Sequence, residues 1–363
     1  MSIEKGRISG VQFMLLVTGF IQGSGLLLAF AVSITKQDTW VSVLASAVLM
    51  IPMALVWAAL AKRFPGKNLV EINRMIYGTF LGTFISGLYI YWILNVFSFN
   101  IRDLGDFYIT FLMPETPLFF FLIGFTLVCA YTVGKGIEVM GRICPLLLFI
   151  IFLNIISTSL LLLRNMDPAN FLPVFETPVK KLIQGTHIIS TIPFGEMVIF
   201  LALTPVINNP KGIGKYMLVG LILGASGLLL VQVRNTAVLG ITESILTSPS
   251  FEVARLIDVG KIFSRMDVVV GIGQTLGMFL KCMILYYATV ISLAQLFNLK
   301  SYLPLILPIG GLAVILAATS RESPADLFSA VSSFVPFFFS PFVFIIPPLS
   351  LLVARLRNLP KKE

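Results

Sequence analysis

Residues 8–35 read ISGVQFMLLVTGFIQGSGLLLAFAVSIT, twenty-eight positions without one Asp, Glu, Lys or Arg. A helix needs roughly 20 mostly apolar residues to cross a bilayer, so this stretch is long enough to span one. It is too long for the apolar region of a cleaved signal peptide, ~7–15 residues. Its middle carries Gly23-Ser24-Gly25, a helix breaker at bilayer depth. In hydrocarbon, an amide without a partner costs several kcal/mol, so broken backbone survives only inside the protein or beside a water-filled cavity.

The rest of the chain repeats the pattern. Apolar stretches follow at 39–61, 75–101, 116–134, 143–163, 182–210, 216–233, 268–299, 301–320 and 327–354. Only Glu196 interrupts the sixth and only Lys281 the eighth. The expectation is an all-α integral membrane protein with ten transmembrane helices in one polytopic domain, 1–363, whose halves cover about 8–163 and 182–355. Composition agrees: 57% of residues are hydrophobic and 12% charged, where soluble domains carry ~25%. That excludes a cytosolic enzyme, a nucleic-acid binder and a disulfide-stapled secreted domain. The three Cys fall within apolar runs and there is one His, so no disulfide, metal site or cofactor is expected.

The net charge of +9 is read against topology. Fifteen Lys and Arg lie on the side that holds both termini and five on the other, the long link between spans 7 and 8 left out. The positive-inside rule then places both termini in the cytoplasm. Two connections, 65–76 (PGKNLVEINRMI) and 251–263 (FEVARLIDVGKIF), alternate apolar and charged residues at helical spacing. Each reads as an amphipathic helix at the interface, or as one packed across the bundle end.

A second breaker, Pro193-Phe194-Gly195, lies in span 6, which opens the second half as span 1 opens the first. Interruptions at corresponding positions of two halves point to a transporter-type binding site. Freed amides at Gly23, Ser24 and Gly25 carry partial positive charge and suit a carboxylate, while freed carbonyls suit an amine. The ligand so favoured is a zwitterion such as an amino acid. Glu196 follows the span 6 break and Lys281 lies inside span 8; each intramembrane charge needs an interior partner, and the two either bound the pocket or form a fixed pair. Arg102 and Asp106 are one helical turn apart and can pair; with Asp103 they read as anchoring or vestibule charges. His187 reads as an interface histidine. Gly224-Ala-Ser226-Gly227 is similar to an intramembrane serine protease motif, but His187 lies near the outer end of span 6 and Ser226 near the middle of span 7, and close helix packing explains the small residues with less. No catalytic residue is assigned.

Four segments taken in order resemble one family: the GSG break of span 1, FPGKNLVEINRMIYG at 64–78, FNIRD at 99–103 and SPSFEVARLIDVGKIFSRMD at 248–267. It is the endospore germination family, in particular the permease-like B subunit of nutrient germinant receptors, and the resemblance covers essentially the whole chain. It implies a place in the amino acid–polyamine–organocation transporter superfamily, with a five-plus-five inverted repeat and broken helices 1 and 6. It further implies a multi-pass protein of the spore inner membrane. There it would work with a receptor A subunit and a lipoprotein C subunit to sense an amino-acid-like germinant and trigger germination. Carried onto this sequence, the resemblance gives a ligand-binding set of Gly23 and Gly25 in span 1, and Phe194 and Gly195 in span 6. Span 3 adds Trp92, Val96 and Asn100, and span 8 adds Lys281. Asn100 and Lys281 depart from a receptor for a small apolar amino acid and imply a more polar ligand. The alternative function is a proton- or cation-coupled secondary amino acid transporter.

Overall fold

The computed structural model describes residues 3–257, 266–322 and 324–360. Among these the regular structure is helical apart from one isolated bridge, Ile8 with Ile207. Seven helices are long and apolar enough to cross a membrane. The first, Gly10–Arg63, has 54 residues. At ~1.5 Å per residue a straight helix of that length would far exceed a ~30 Å hydrocarbon core. Lys36, at φ 49°, ends its second segment and divides it into two passes. With the shorter apolar helices Leu118–Gly134 and Leu303–Thr319, ten apolar runs follow one another in the order expected for ten spans.

Span 1 comprises Gly10–Gln22 and Leu28–Thr35, and span 2 is Thr39–Arg63. Spans 3 to 5 are Thr79–Phe107, Leu118–Gly134 and Ile137–Leu161. Span 6 comprises Val179–Ile189 and Gly195–Val206, and span 7 is Ile213–Leu239. Spans 8 and 9 are Met266–Leu296 and Ile306–Thr319. Span 10 comprises Val335–Ser340 and Ile346–Leu356, joined by Pro341–Ile345.

Span 6 is the axis of the bundle. Its most apolar window is 94% buried, against 33–61% for the other six long helices. Phe13 and Phe20 of span 1 meet Phe200 of span 6 edge-on, with ring centroids 5.3 and 5.6 Å apart, a geometry that suits the ring quadrupoles. Span 7 seals the other side of span 1. A Cβ at Gly224 would stand 2.7 Å from the Ile21 side chain, and one at Gly227 would stand 2.1 Å from Gln22 Nε2. These glycines serve close approach, and Ser226 donates to Leu223 O, 2.9 Å away. Gly224→Val is therefore expected to destabilise the chain by about 1–3 kcal/mol through overpacking, measured as a lowered Tm of the purified full chain.

The N-terminal approach to span 1 is pinned. Ser9 and Gln12 form a reciprocal capping box at its start. Ile8 N donates to Val206 O (2.9 Å) and Asn208 N donates to Ile8 O (3.0 Å), pairing the start of span 1 with the end of span 6. Arg7 Nη1 donates to Pro205 O, and Glu4 accepts from the hydroxyls of Tyr287 and Tyr302.

Helix Leu69–Tyr77, capped by Asn68 and Glu71, buries Leu69, Val70, Ile72 and Ile76 in the protein. Arg74 donates to Thr83 Oγ1 and Leu296 O. This is the packing of a helix laid across the bundle end. Of the second amphipathic segment, Pro249–Arg255 is helical; residues 258–263 lie outside those described.

One span differs from its expected course. The apolar run 327–354 is two bodies, Pro324–Ser333 and then span 10, separated at Phe334. Pro336 has no N–H for the carbonyl of Ser332, and Gln184 Nε2 donates to that carbonyl instead, at 2.7 Å.

Candidate functional site

The two breaks differ in depth. In span 1, Gly23 (φ −62°, ψ −8°) and Ser24 (φ −99°, ψ 13°) lead into a single 3₁₀ turn, Gly25–Leu27. Glycine is required at position 23 by approach: a Cβ would stand 2.4 Å from Gly277 O and 2.6 Å from Lys281 Cβ. Spans 1 and 8 thus touch almost backbone to backbone. In span 6, Ile192 (φ −133°, ψ 111°) is extended, and Pro193 after it has no N–H to continue the ladder.

A charge joins the breaks. Lys281 Nζ lies 2.7 Å from Glu196 Oε2 and donates to Ser24 Oγ at 2.7 Å. It also stands 5.4 Å from the centroid of the Phe20 ring. Lys281 is 0% and Glu196 1% exposed. Neither charge could be left in this interior alone, so one ammonium ties spans 1, 6 and 8 together.

A cavity of about 720 Å³ reaches Glu196, within the size range of small-molecule sites. Leu27 and Phe30 wall it from span 1, and Val96, Asn100 and Asp103 from span 3. Ile192 comes from the break of span 6, and Arg321, Val331 and Phe339 from the region around the connection of spans 9 and 10. Asn100 is 3% exposed; its Nδ2 donates to Val96 O at 2.7 Å, and its Oδ1 is buried with no hydrogen-bond partner among the described residues.

At the end of span 3 four charges interlock. Arg102 Nε donates to Asp106 Oδ1 (2.8 Å), and Arg321 Nη2 donates to Asp103 Oδ1 (2.6 Å) and Asp106 Oδ2 (2.7 Å). Arg102 also donates to the carbonyls of Ala317 and Ala318 at the end of span 9. Arg102 and Asp106 are 6% and 7% exposed, so the pair read from sequence is present but buried, anchoring span 3 to the end of span 9, and Asp103 lines the cavity itself.

Of the residues assigned from sequence, Val96, Asn100 and Glu196 border the large cavity, with Lys281 and Ser24 bonded behind Glu196. Trp92 is buried behind the wall, stacked on Phe342 with centroids 5.2 Å apart. Phe194 is 0% exposed, and Gly195 is packed against Val343 and Ser190 O. Gly23 faces span 8. Gly25 borders two small separate cavities of about 10 and 50 Å³, among Gln232, Asn235, Ser250 and Gln274. Among the wall residues that the sequence reading passed over are the charged Arg321, Glu322 and Asp326; Arg321 is the basic one. Its signal was a basic residue in the short break between two apolar runs, and what it binds lies more than two hundred positions away.

A helical bundle with spans 1 and 6 interrupted around a buried ion pair and a cavity defines a multi-pass membrane protein of the transporter-like, permease type. The chain belongs to the spore germination protein family, whose sequence signature matches residues 7–325. Spore germination protein KB of Bacillus subtilis (strain 168) is 26% identical over 357 residues, covering 97% of this chain and 95% of its own. Spore germination protein B2 of the same organism is 25% identical over 308 residues, covering 81% of each chain. The fold is shared with MhsT, solved in complex with L-phenylalanine, at a TM-score of 0.74 and 13% identity over 98% of this chain and 89% of that one. It is also shared with Mhp1, a nucleobase-cation-symport-1 family transporter solved closed with bromovinylhydantoin bound. There the TM-score is 0.69, with 11% identity over 98% of this chain and 92% of that one.

Proposed function

We propose that this chain is the germinant-sensing subunit of a spore nutrient receptor. It binds a small amino-acid-like molecule between broken spans 1 and 6 and triggers germination. It sits in the spore inner membrane with both termini cytoplasmic, beside a receptor A subunit and a lipoprotein C subunit, and performs no catalysis. The observation that carries this reading is the cavity of about 720 Å³ bordered by Val96, Asn100 and Glu196, in a chain of a spore germination family. Ligand binding shifts an equilibrium between two packings of the bundle, which requires unequal affinity for the two; the partner subunits read that shift.

The test is germination of spores carrying Asn100→Leu at normal protein level. Asn100 offers the cavity a buried acceptor without a partner among the described residues, and the loss of such a group typically costs about 1–3 kcal/mol with a ligand that uses it. The expected result is a reordered ranking of amino acids, with effective concentrations of polar ones raised about tenfold or more. A wild-type ranking would remove span 3 from the site. Accumulation of labelled amino acid by proteoliposomes of the isolated chain, driven by a proton or cation gradient, would select the secondary-transporter reading instead.

A further inference from the structure

We infer that Arg321 is the group that recognises the carboxylate of the ligand, so that the cavity selects zwitterionic amino acids over their uncharged carboxyl derivatives. This rests on the ligand-site reading above and deepens it. Sequence alone places the carboxylate at the freed amides of Gly23–Gly25, but Gly25 borders the two small cavities and not the large one, and Gly23 is closed by span 8. The large cavity needs another source of positive charge. Lys281 is committed to Glu196 and Ser24.

The Arg321 side chain is 4% exposed and lines the cavity. One edge of its guanidinium is in use, with Nε donating to Asp106 Oδ2 and Nη2 to Asp106 Oδ2 and Asp103 Oδ1. Nη1 is buried with no hydrogen-bond partner among the described residues. A guanidinium presents donors in a rigid fork, so fixing one edge on two aspartates aims the other in advance. An orphaned donor in a dry wall calls for an explanation, and a carboxylate oxygen supplies a charge-assisted partner. Asn100 Oδ1, on the same cavity, is an orphaned acceptor. Its orientation is fixed because Val96 O accepts from Nδ2; a flipped amide would set two acceptors face to face. A molecule that carries both an ammonium and a carboxylate has a partner to offer each atom. Arg102 and Arg321 balance Asp103 and Asp106, while Glu322 and Asp326 also line the cavity and suit the ammonium of a zwitterion.

The experiment measures binding to the purified full chain, using the standard L-amino acids and their α-carboxamides as probes, by titration and by the shift in Tm. Wild type is expected to bind at least one amino acid roughly tenfold to a hundredfold more tightly than its amide, the range for a hydrogen bond to a charged group. In Arg321→Gln that preference should vanish, through loss of acid binding, with amide affinity held within about threefold. The double variant Asp106→Asn/Arg321→Gln removes one charge of each sign and carries the same test if the single variant does not fold. An acid-over-amide preference that survives in the folded variants overturns the role of Arg321 and leaves the ligand site standing. Failure of every amino acid to bind wild type overturns the ligand-site reading, and this inference with it.

Discussion

Lys281→Met is expected to produce the largest loss of stability of any single substitution in the chain. It leaves the Glu196 carboxylate, 1% exposed, without the ammonium that now lies 2.7 Å away. Removing one partner of a buried ion pair typically costs about 3–5 kcal/mol, because the other charge stays buried and uncompensated. The measurement is the unfolding midpoint of the full chain in detergent, alone and in the double variant Glu196→Gln/Lys281→Met. The double variant should recover most of the loss, since a neutral pair of similar volume removes the stranded charge. A single variant as stable as wild type would mean that Glu196 finds another partner or takes up a proton at no cost.

Gly23→Ala should come second, and its effect turns on the atom it meets. The added Cβ would stand 2.4 Å from Gly277 O, a backbone atom in the interior of span 8. No rotamer can clear that contact, so spans 1 and 8 must separate and carry the Lys281 ammonium away from Ser24. The cost is expected at the upper end of the overpacking range, about 3 kcal/mol. Gly25→Ala provides the control. Nothing lies within 4 Å of its Cβ position, so its midpoint should stay within about 0.5 kcal/mol of wild type. Equal losses in both variants would mean that the break needs glycine for its backbone angles and not for the approach of span 8.

These contrasts mark how far the sequence can be read. Crossings of about twenty apolar residues stand out because lipid demands them, and isolated charges such as Glu196 and Lys281 announce an interior partner. Gly-Ser-Gly locates the interruption of span 1 but says nothing of its depth. That depth is set by Gly277, more than 250 positions away. The division at Phe334 is hidden because Pro336 lies in an unbroken apolar stretch, and hydropathy is blind to a missing amide hydrogen. The four-residue register of Trp92, Val96 and Asn100 came from the family resemblance. It puts Val96 and Asn100 on the cavity, while Trp92 sits one layer back against Phe342. Arg321 meets Asp103 and Asp106 only through the fold, and no local pattern could have joined them.

The short backbone pairing of Ile8 with Ile207 has a mechanical meaning. It yokes the lower limbs of the two interrupted crossings, so neither can tilt without dragging the other. If an occupant of the chamber moved either limb, the motion would be shared by the other or taken up above the joints, by the upper limbs. A neighbouring subunit gripping those leading residues would feel both crossings at once.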